Sequence, residues 1–147
     1  MQHIHKIIAF SLLLLALISS CSEEDKAPSS IEAKIEQPTN PNDSELALLM
    51  RAMFDEAQQI KHQVANERPV KFHVNHSNIL TASATEPEKA ASDEFKAFAN
   101  GYLESVKNMQ SASPTQMVSL YDNMVENCMS CHRAICPGPL TRIKKLQ

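Results

Sequence analysis

The chain has 147 residues, four of them cysteine, with 14 basic and 17 acidic side chains and a formal net charge of −3 at neutral pH. That length holds one small domain, and the acidic balance supplies no basic field for nucleic acid. With two glycines, no tryptophan and plentiful alanine, leucine, methionine, glutamate, lysine and glutamine, the composition is that of an all-α protein.

Residues 1–20 read as an export leader. His3, His5 and Lys6 make a polar start, and Ile7 to Ile18 is an apolar run of signal-peptide length. The run is too short to span a bilayer comfortably. It ends in Ile18-Ser19-Ser20-Cys21, which resembles the lipobox of bacterial lipoproteins. The resemblance implies cleavage before Cys21, diacylation of its sulfur and acylation of the new amino group, which together anchor a protein without a transmembrane helix. An ordinary secretory signal with small residues at the cut is the competing reading. The expected location is the bacterial cell envelope, lipid-anchored and facing the periplasm. Ser22 in place of an aspartate points towards an outer membrane. Loss of the leader removes Lys6, the only charged residue in it, so the mature chain carries 13 basic against 17 acidic side chains, a net −4. Residues 21–42 are acidic, rich in serine and broken by Pro28, Pro38 and Pro41. They read as a flexible tether to the lipid, with the domain proper over 43–147.

Four amphipathic helices are predicted beyond the tether. The first starts near Asp43 or Ser44, either a good cap. Leu46, Met50, Met53, Ala57, Ile60 and Val64 recur at steps of four and three, and Leu49 and Phe54 widen the stripe. This helix stops by Arg68-Pro69. Phe72, His76, Ile79 and Leu80 suggest a second helix between Pro69 and Glu86. The third opens between Pro87 and Asp93, with Thr85 or Ser92 as cap. It carries Phe95, Phe98, Tyr102, Val106 and Met109 and ends at Ser111 to Ser113. The fourth starts at Ser113-Pro114-Thr115-Gln116, which combines a serine cap, proline at the first helical position and glutamine at the third. Met117, Leu120, Met124, Cys128 and Cys131 follow one face, and a short helical tail spans Leu140 to Leu146. Short connections between such helices favour an antiparallel four-helix bundle.

The last long helix ends in Cys128-Met129-Ser130-Cys131-His132. C-x-x-C-H is the pattern of covalent haem attachment. Cysteines three apart share one helix face, so both thiols reach the two vinyl groups of one porphyrin. His132 then serves as the proximal iron ligand. The competing readings are a disulfide, buried thiols, or structural zinc held by Cys128, Cys131, His132 and Cys136. Zinc is disfavoured because adjacent Cys131 and His132 would have to face one ion. With Cys21 lipidated and two cysteines on haem, Cys136 is left over. Beside the turn Pro137-Gly138-Pro139 it reads as a structural, partly buried thiol, with a surface free thiol or a site of intermolecular pairing as alternatives. After Glu126 the chain has no acid but has Arg133, Arg142, Lys144 and Lys145. This basic tail suits haem propionates, an acidic partner, or simply the negative end of a helix.

Four helices with the haem motif at the end of the last one resemble the cytochrome c-prime family of class II c-type cytochromes and its low-spin, methionine-ligated relatives. The resemblance covers about Asp43 to His132. The segment Cys136-Pro137-Gly138-Pro139 and the basic tail depart from that family's usual ending and resemble the tails of small haem lipoproteins. The resemblance implies that a first-helix residue lies over the distal face of the haem, either a methionine ligand or an apolar side chain that leaves the iron open. Leu46-x-x-x-Met50-x-x-Met53-x-Asp55 is also similar to the start of the b-type four-helix cytochrome, whose early methionine is a ligand. That alignment favours Met50, with Met53 and an open position as alternatives. Methionine is also a common core filler. His76 is expected to be a satisfied or solvent-facing histidine.

The sequence contains no Ser/His/Asp arrangement, paired acidic motif or glycine-rich phosphate loop, so no enzyme activity is expected. The expected role is a membrane-anchored carrier of single electrons that uses one covalent haem c and meets redox partner proteins in the periplasm. The alternatives are a five-coordinate haem protein that binds a small gas such as NO, and a zinc-stabilised or purely structural surface lipoprotein.

Overall fold

The structure, a computed structural model, describes Asn40 and residues 42–147. The leader, Cys21 and the rest of the tether lie outside the described residues. Within these, the chain is helix, turn or irregular backbone, with no strand, and is all-α as its composition implies.

Helix α1 (Glu45–Ala65) begins at Ser44, whose Oγ accepts a hydrogen bond from the Ala47 N–H at 3.2 Å. That bond satisfies one of the amide groups a helix start leaves free. Its end is set before Pro69 is reached. Glu67 adopts φ 52°, while the Arg68 N–H bonds Gln63 O at 2.8 Å and the Glu67 N–H bonds Val64 O at 3.1 Å. This is a Schellman closure with glutamate in the left-handed position that usually belongs to glycine.

The expected second helix is not formed. Residues 66–86 run as a strap that contains only a 3-10 turn, His76–Leu80. The reason is visible in the pattern. Val70, Phe72 and Val74 are half-buried, and Lys71, His73 and Asn75 between them are exposed. That alternation has the period of extended chain, not helix. Leu80, assigned to the apolar face of that helix, is 45 % exposed. No neighbouring strand satisfies the strap. The Glu56 carboxylate of α1 accepts the backbone N–H groups of both His73 and Val74, the latter at 2.9 Å.

A single helical turn α2 (Pro87–Ala91) precedes α3 (Asp93–Gln110). Ser92 ends the first and caps the second, accepting from the Phe95 N–H at 3.1 Å. Phe95, Tyr102, Val106 and Met109 are buried as expected, and Phe98 is half-buried. The turn Pro114–Gln116 leads into α4 (Met117–Ala134). There Gln116 Oε1 accepts from the Ser113 N–H at 3.2 Å and its hydroxyl at 2.8 Å. Helices α3 and α4 make the most extensive helix–helix contact. Gly101 permits their approach, since a Cβ there would lie 3.3 Å from Asn127 Oδ1. Asn127 Nδ2 donates across the seam to Ser105 Oγ at 2.8 Å.

After α4 the chain turns back through α5 (Leu140–Ile143) and a closing turn, Lys144–Leu146. Ile143 and Leu146 are buried. The Tyr121 hydroxyl donates to Leu146 O at 3.0 Å, and Lys61 Nζ donates to the carbonyl of Lys145 at 3.2 Å and to that of Gln147. The tail is thereby tied to both α4 and α1. Three long helices, the strap and the tail surround one core. Ile60, Met109, Met124 and Met129 are its most buried large side chains.

Candidate functional site

A cavity of about 520 Å³ opens between α1, α3, α4 and the tail. Its volume lies within the ~300–1,000 Å³ typical of cofactor and small-molecule sites. Cys128, Cys131 and His132 line it from the last turns of α4, and Met50 and Met53 line it from α1. Phe54, Ala57, Phe95, Tyr102 and Met124 complete an apolar interior. The two methionines and the cysteine–histidine motif, 75 or more positions apart in the chain, thus face one space.

Helical geometry explains the α4 side. Cys128 and Cys131 lie three residues apart and share a face, and His132 follows in the same turn. The helix ends just beyond them, and His132 Nδ1 meets Cys136 O, four residues on, at 2.9 Å. A carbonyl can only accept, so Nδ1 carries the proton and donates. In the neutral ring Nε2 is then a bare lone pair, the form in which histidine binds a metal.

The two thiols are half-buried. Burial pushes Cys128 up to about 12 and Cys131 up to about 11, so both are neutral thiols at pH 7. Among the described residues no three His, Cys, Asp or Glu side chains converge as a metal-holding group. A neutral thiol is the species that adds across a vinyl double bond. Two thiols on one helix face with a histidine beside them, all lining one apolar cavity, fit a covalent porphyrin. Cys136 also lines the cavity but is exposed, which corrects the expectation of a partly buried thiol there.

The α1 side separates the two methionines. Met53 exposes 7 % of its surface and belongs to the packed core, whereas Met50 is half-buried at its margin. Met50 therefore has more of its side chain free to meet an occupant of the cavity.

Cations ring the space. Arg142, a tail cation that lines it, stacks on the Phe54 ring with its guanidinium carbon 4.3 Å from the centroid and bonds Asp55 at 3.1 Å. Arg51 forms a two-pronged pair with Asp43, one bond at 2.9 Å. Lys89 pairs with Glu86 at 2.7 Å. Arg51 and Lys89 line the cavity but drew no notice in the sequence, because no local pattern brings them to this rim. Of the other tail cations, Arg133 pairs with Glu126 at 2.6 Å on the surface, and Lys144 and Lys145 are exposed away from the cavity lining.

His76 is buried and satisfied, as expected, by partners the sequence did not reveal. Its Nε2 lies 2.7 Å from Glu56 Oε2 and its Nδ1 lies 2.9 Å from the Tyr102 hydroxyl. Desolvation alone would raise the Glu56 carboxyl. The bonds from His76 and from the His73 and Val74 amides outweigh it and hold the group below its ordinary value. Burial raises the Tyr102 phenol far above its ordinary value, so it stays protonated.

Comparison with protein-family models, curated proteins and solved structures returned no match. Among the described residues no helix is long and apolar enough to cross a membrane.

Proposed function

We propose that the domain is a c-type haem protein that carries single electrons in the periplasm, tethered to the membrane by lipid on Cys21. The fold would then be a variant of the class II cytochrome bundle, with a strap in place of one helix and the tail closing the cavity. One observation supports this reading above the others. Both cysteines and the histidine of C-x-x-C-H line one apolar cavity with two methionines opposite, and the histidine's Nδ1 is engaged so that Nε2 is left bare. A haem held there supplies a reversible one-electron centre. Cys128 and Cys131 would hold it by thioethers, and His132 Nε2 would bind its iron. Met50 would be the second residue to hold the iron, and its thioether would raise the reduction potential. Arg51 and Arg142 offer positive charge at the rim for carboxylate groups. The apolar walls exclude water and lower the local dielectric.

The test is acid–organic extraction of the purified mature protein, followed by its absorption spectrum. Haem should remain with the protein, and the double variant Cys128→Ala/Cys131→Ala should retain almost none. A wild type that contains stoichiometric zinc and shows no Soret band refutes the proposal. A wild type that holds covalent haem but is high-spin and binds carbon monoxide rapidly replaces electron transfer with gas binding.

A further inference from the structure

The buried trio Glu56, His76 and Tyr102 plays no part in holding a haem, yet it is an unusual use of a small core. Glu56 and His76 are 5 % and 7 % exposed, and Tyr102 is 6 % exposed with its ring on the cavity wall. The three form an unbroken chain from the strap to the cavity: Glu56 Oε2 to His76 Nε2 at 2.7 Å, then His76 Nδ1 to the Tyr102 hydroxyl at 2.9 Å. Among the described residues every buried side-chain nitrogen and oxygen has a partner.

Hydrogen-bond directions make this chain a two-state device. With His76 neutral, the Tyr102 hydroxyl donates to Nδ1 and the Nε2–H donates to the Glu56 carboxylate. The trio then carries one buried negative charge. When His76 gains a proton, both ring nitrogens donate. The Tyr102 oxygen becomes an acceptor, its own hydrogen turns away from the imidazole, and the trio is neutral. The groups that face His76 are few. Glu56 comes from α1, Tyr102 from α3, and the edge of Phe72 from the strap at 5.5 Å between centroids. Cys128 of α4, uncharged as a thiol or as a thioether, lies on the Tyr102 side. Among the described residues no lysine or arginine pairs with Glu56, so His76 is the only group placed to neutralise it.

We infer that the Glu56–His76–Tyr102 chain is a proton-binding site linked to the redox state of the cavity's occupant, with His76 taking up one proton when that occupant gains one electron. The inference rests on the haem reading. The electron comes from a one-electron donor and the proton from solvent, so one unit of each enters together and the net charge within this part of the protein stays constant. The driving force is electrostatic. Loss of a buried negative charge one side chain from the cavity favours the reduced state, and reduction favours the proton in turn.

The experiment follows the His76 ring by heteronuclear NMR over a pH titration of the haem-loaded protein, in the oxidised and the dithionite-reduced states, with the midpoint potential measured over the same range. The His76 midpoint should be higher in the reduced protein. The redox equilibrium should shift towards oxidised by up to tenfold per pH unit between the two midpoints, which is 59 mV for one electron. His76→Gln, which cannot titrate, should flatten that dependence, and Glu56→Gln should raise the potential at high pH. Equal His76 midpoints in the two oxidation states overturn the inference while the haem reading stands, and so does an unchanged pH dependence in His76→Gln. Should His76→Gln fail to fold, the wild-type midpoints decide alone. A wild type without a Soret band overturns both readings.

Discussion

The two methionines of α1 provide the most discriminating perturbation, because stability and ligation should come apart. Met53 is 7 % exposed and packed into the core. Its truncation to alanine removes nearly a whole buried side chain and leaves a void, at a cost of about 2–5 kcal/mol. For a domain of this size each kcal/mol is worth roughly 4–8 °C in Tm, so Met53→Ala should lower Tm by on the order of 10 °C or more. Its oxidised spectrum should keep the weak far-red charge-transfer band of a thioether-ligated haem. Met50 is half-buried and faces the cavity, so its apolar contribution is smaller, about 1–2 kcal/mol on burial alone. Met50→Ala should abolish the far-red band, lower the reduction potential and let carbon monoxide bind the reduced iron. The assays are absorption spectroscopy, thermal unfolding and carbon monoxide binding on the haem-loaded proteins. If Met53→Ala removes the band and Met50→Ala keeps it, the reasoning from exposure is wrong and the ligand lies one turn further along α1.

Two further outcomes test separate parts of the account. Cys21→Ser should abolish lipid labelling and either release the protein from membranes or stall its processing, while the domain over 43–147 still folds; unchanged membrane association would defeat the anchor. Glu56→Ala should be among the most destabilising single changes, about 3–5 kcal/mol by chemical denaturation, because it strands buried His76 and the His73 and Val74 amides. The Glu56 carboxyl lies below its ordinary value in the folded state. Its contribution is therefore complete above the unfolded glutamate value of about 4.3 and is lost as the pH falls through the depressed folded value. Glu56→Gln should lack that part of the acid-unfolding slope, and an identical slope in the variant argues against the pairing.

What could be read from the chain alone is what local chemistry dictates. Ser44, Ser92 and Ser113 announce helix starts because a hydroxyl two or three residues ahead of a free amide is enough to cap it. The stripes through Met53, Ala57 and Ile60, through Phe95, Tyr102 and Val106, and through Met124 and Cys128 follow from the helical period alone. The pairing of Cys128 and Cys131 on one face, with His132 beside them, needs only the turn that contains them. Other features are settled by contacts far apart in sequence. Residues 70–76 carry an alternating pattern that suits extended chain, and what holds them is a carboxylate on another helix. Glu56 has no local mark that separates it from a solvated glutamate; it is buried because His76, His73 and Val74 converge on it from the strap. Arg51, Lys89 and Arg142 meet at one rim only once α1, α2 and the tail are packed. The His132 ring, by contrast, is oriented locally, by Cys136 O four residues on at the end of the same helix. Helix periodicity is a property of neighbouring residues and survives in the sequence. A cavity and a buried ion pair are properties of distant atoms brought together, and only the tertiary structure decides them.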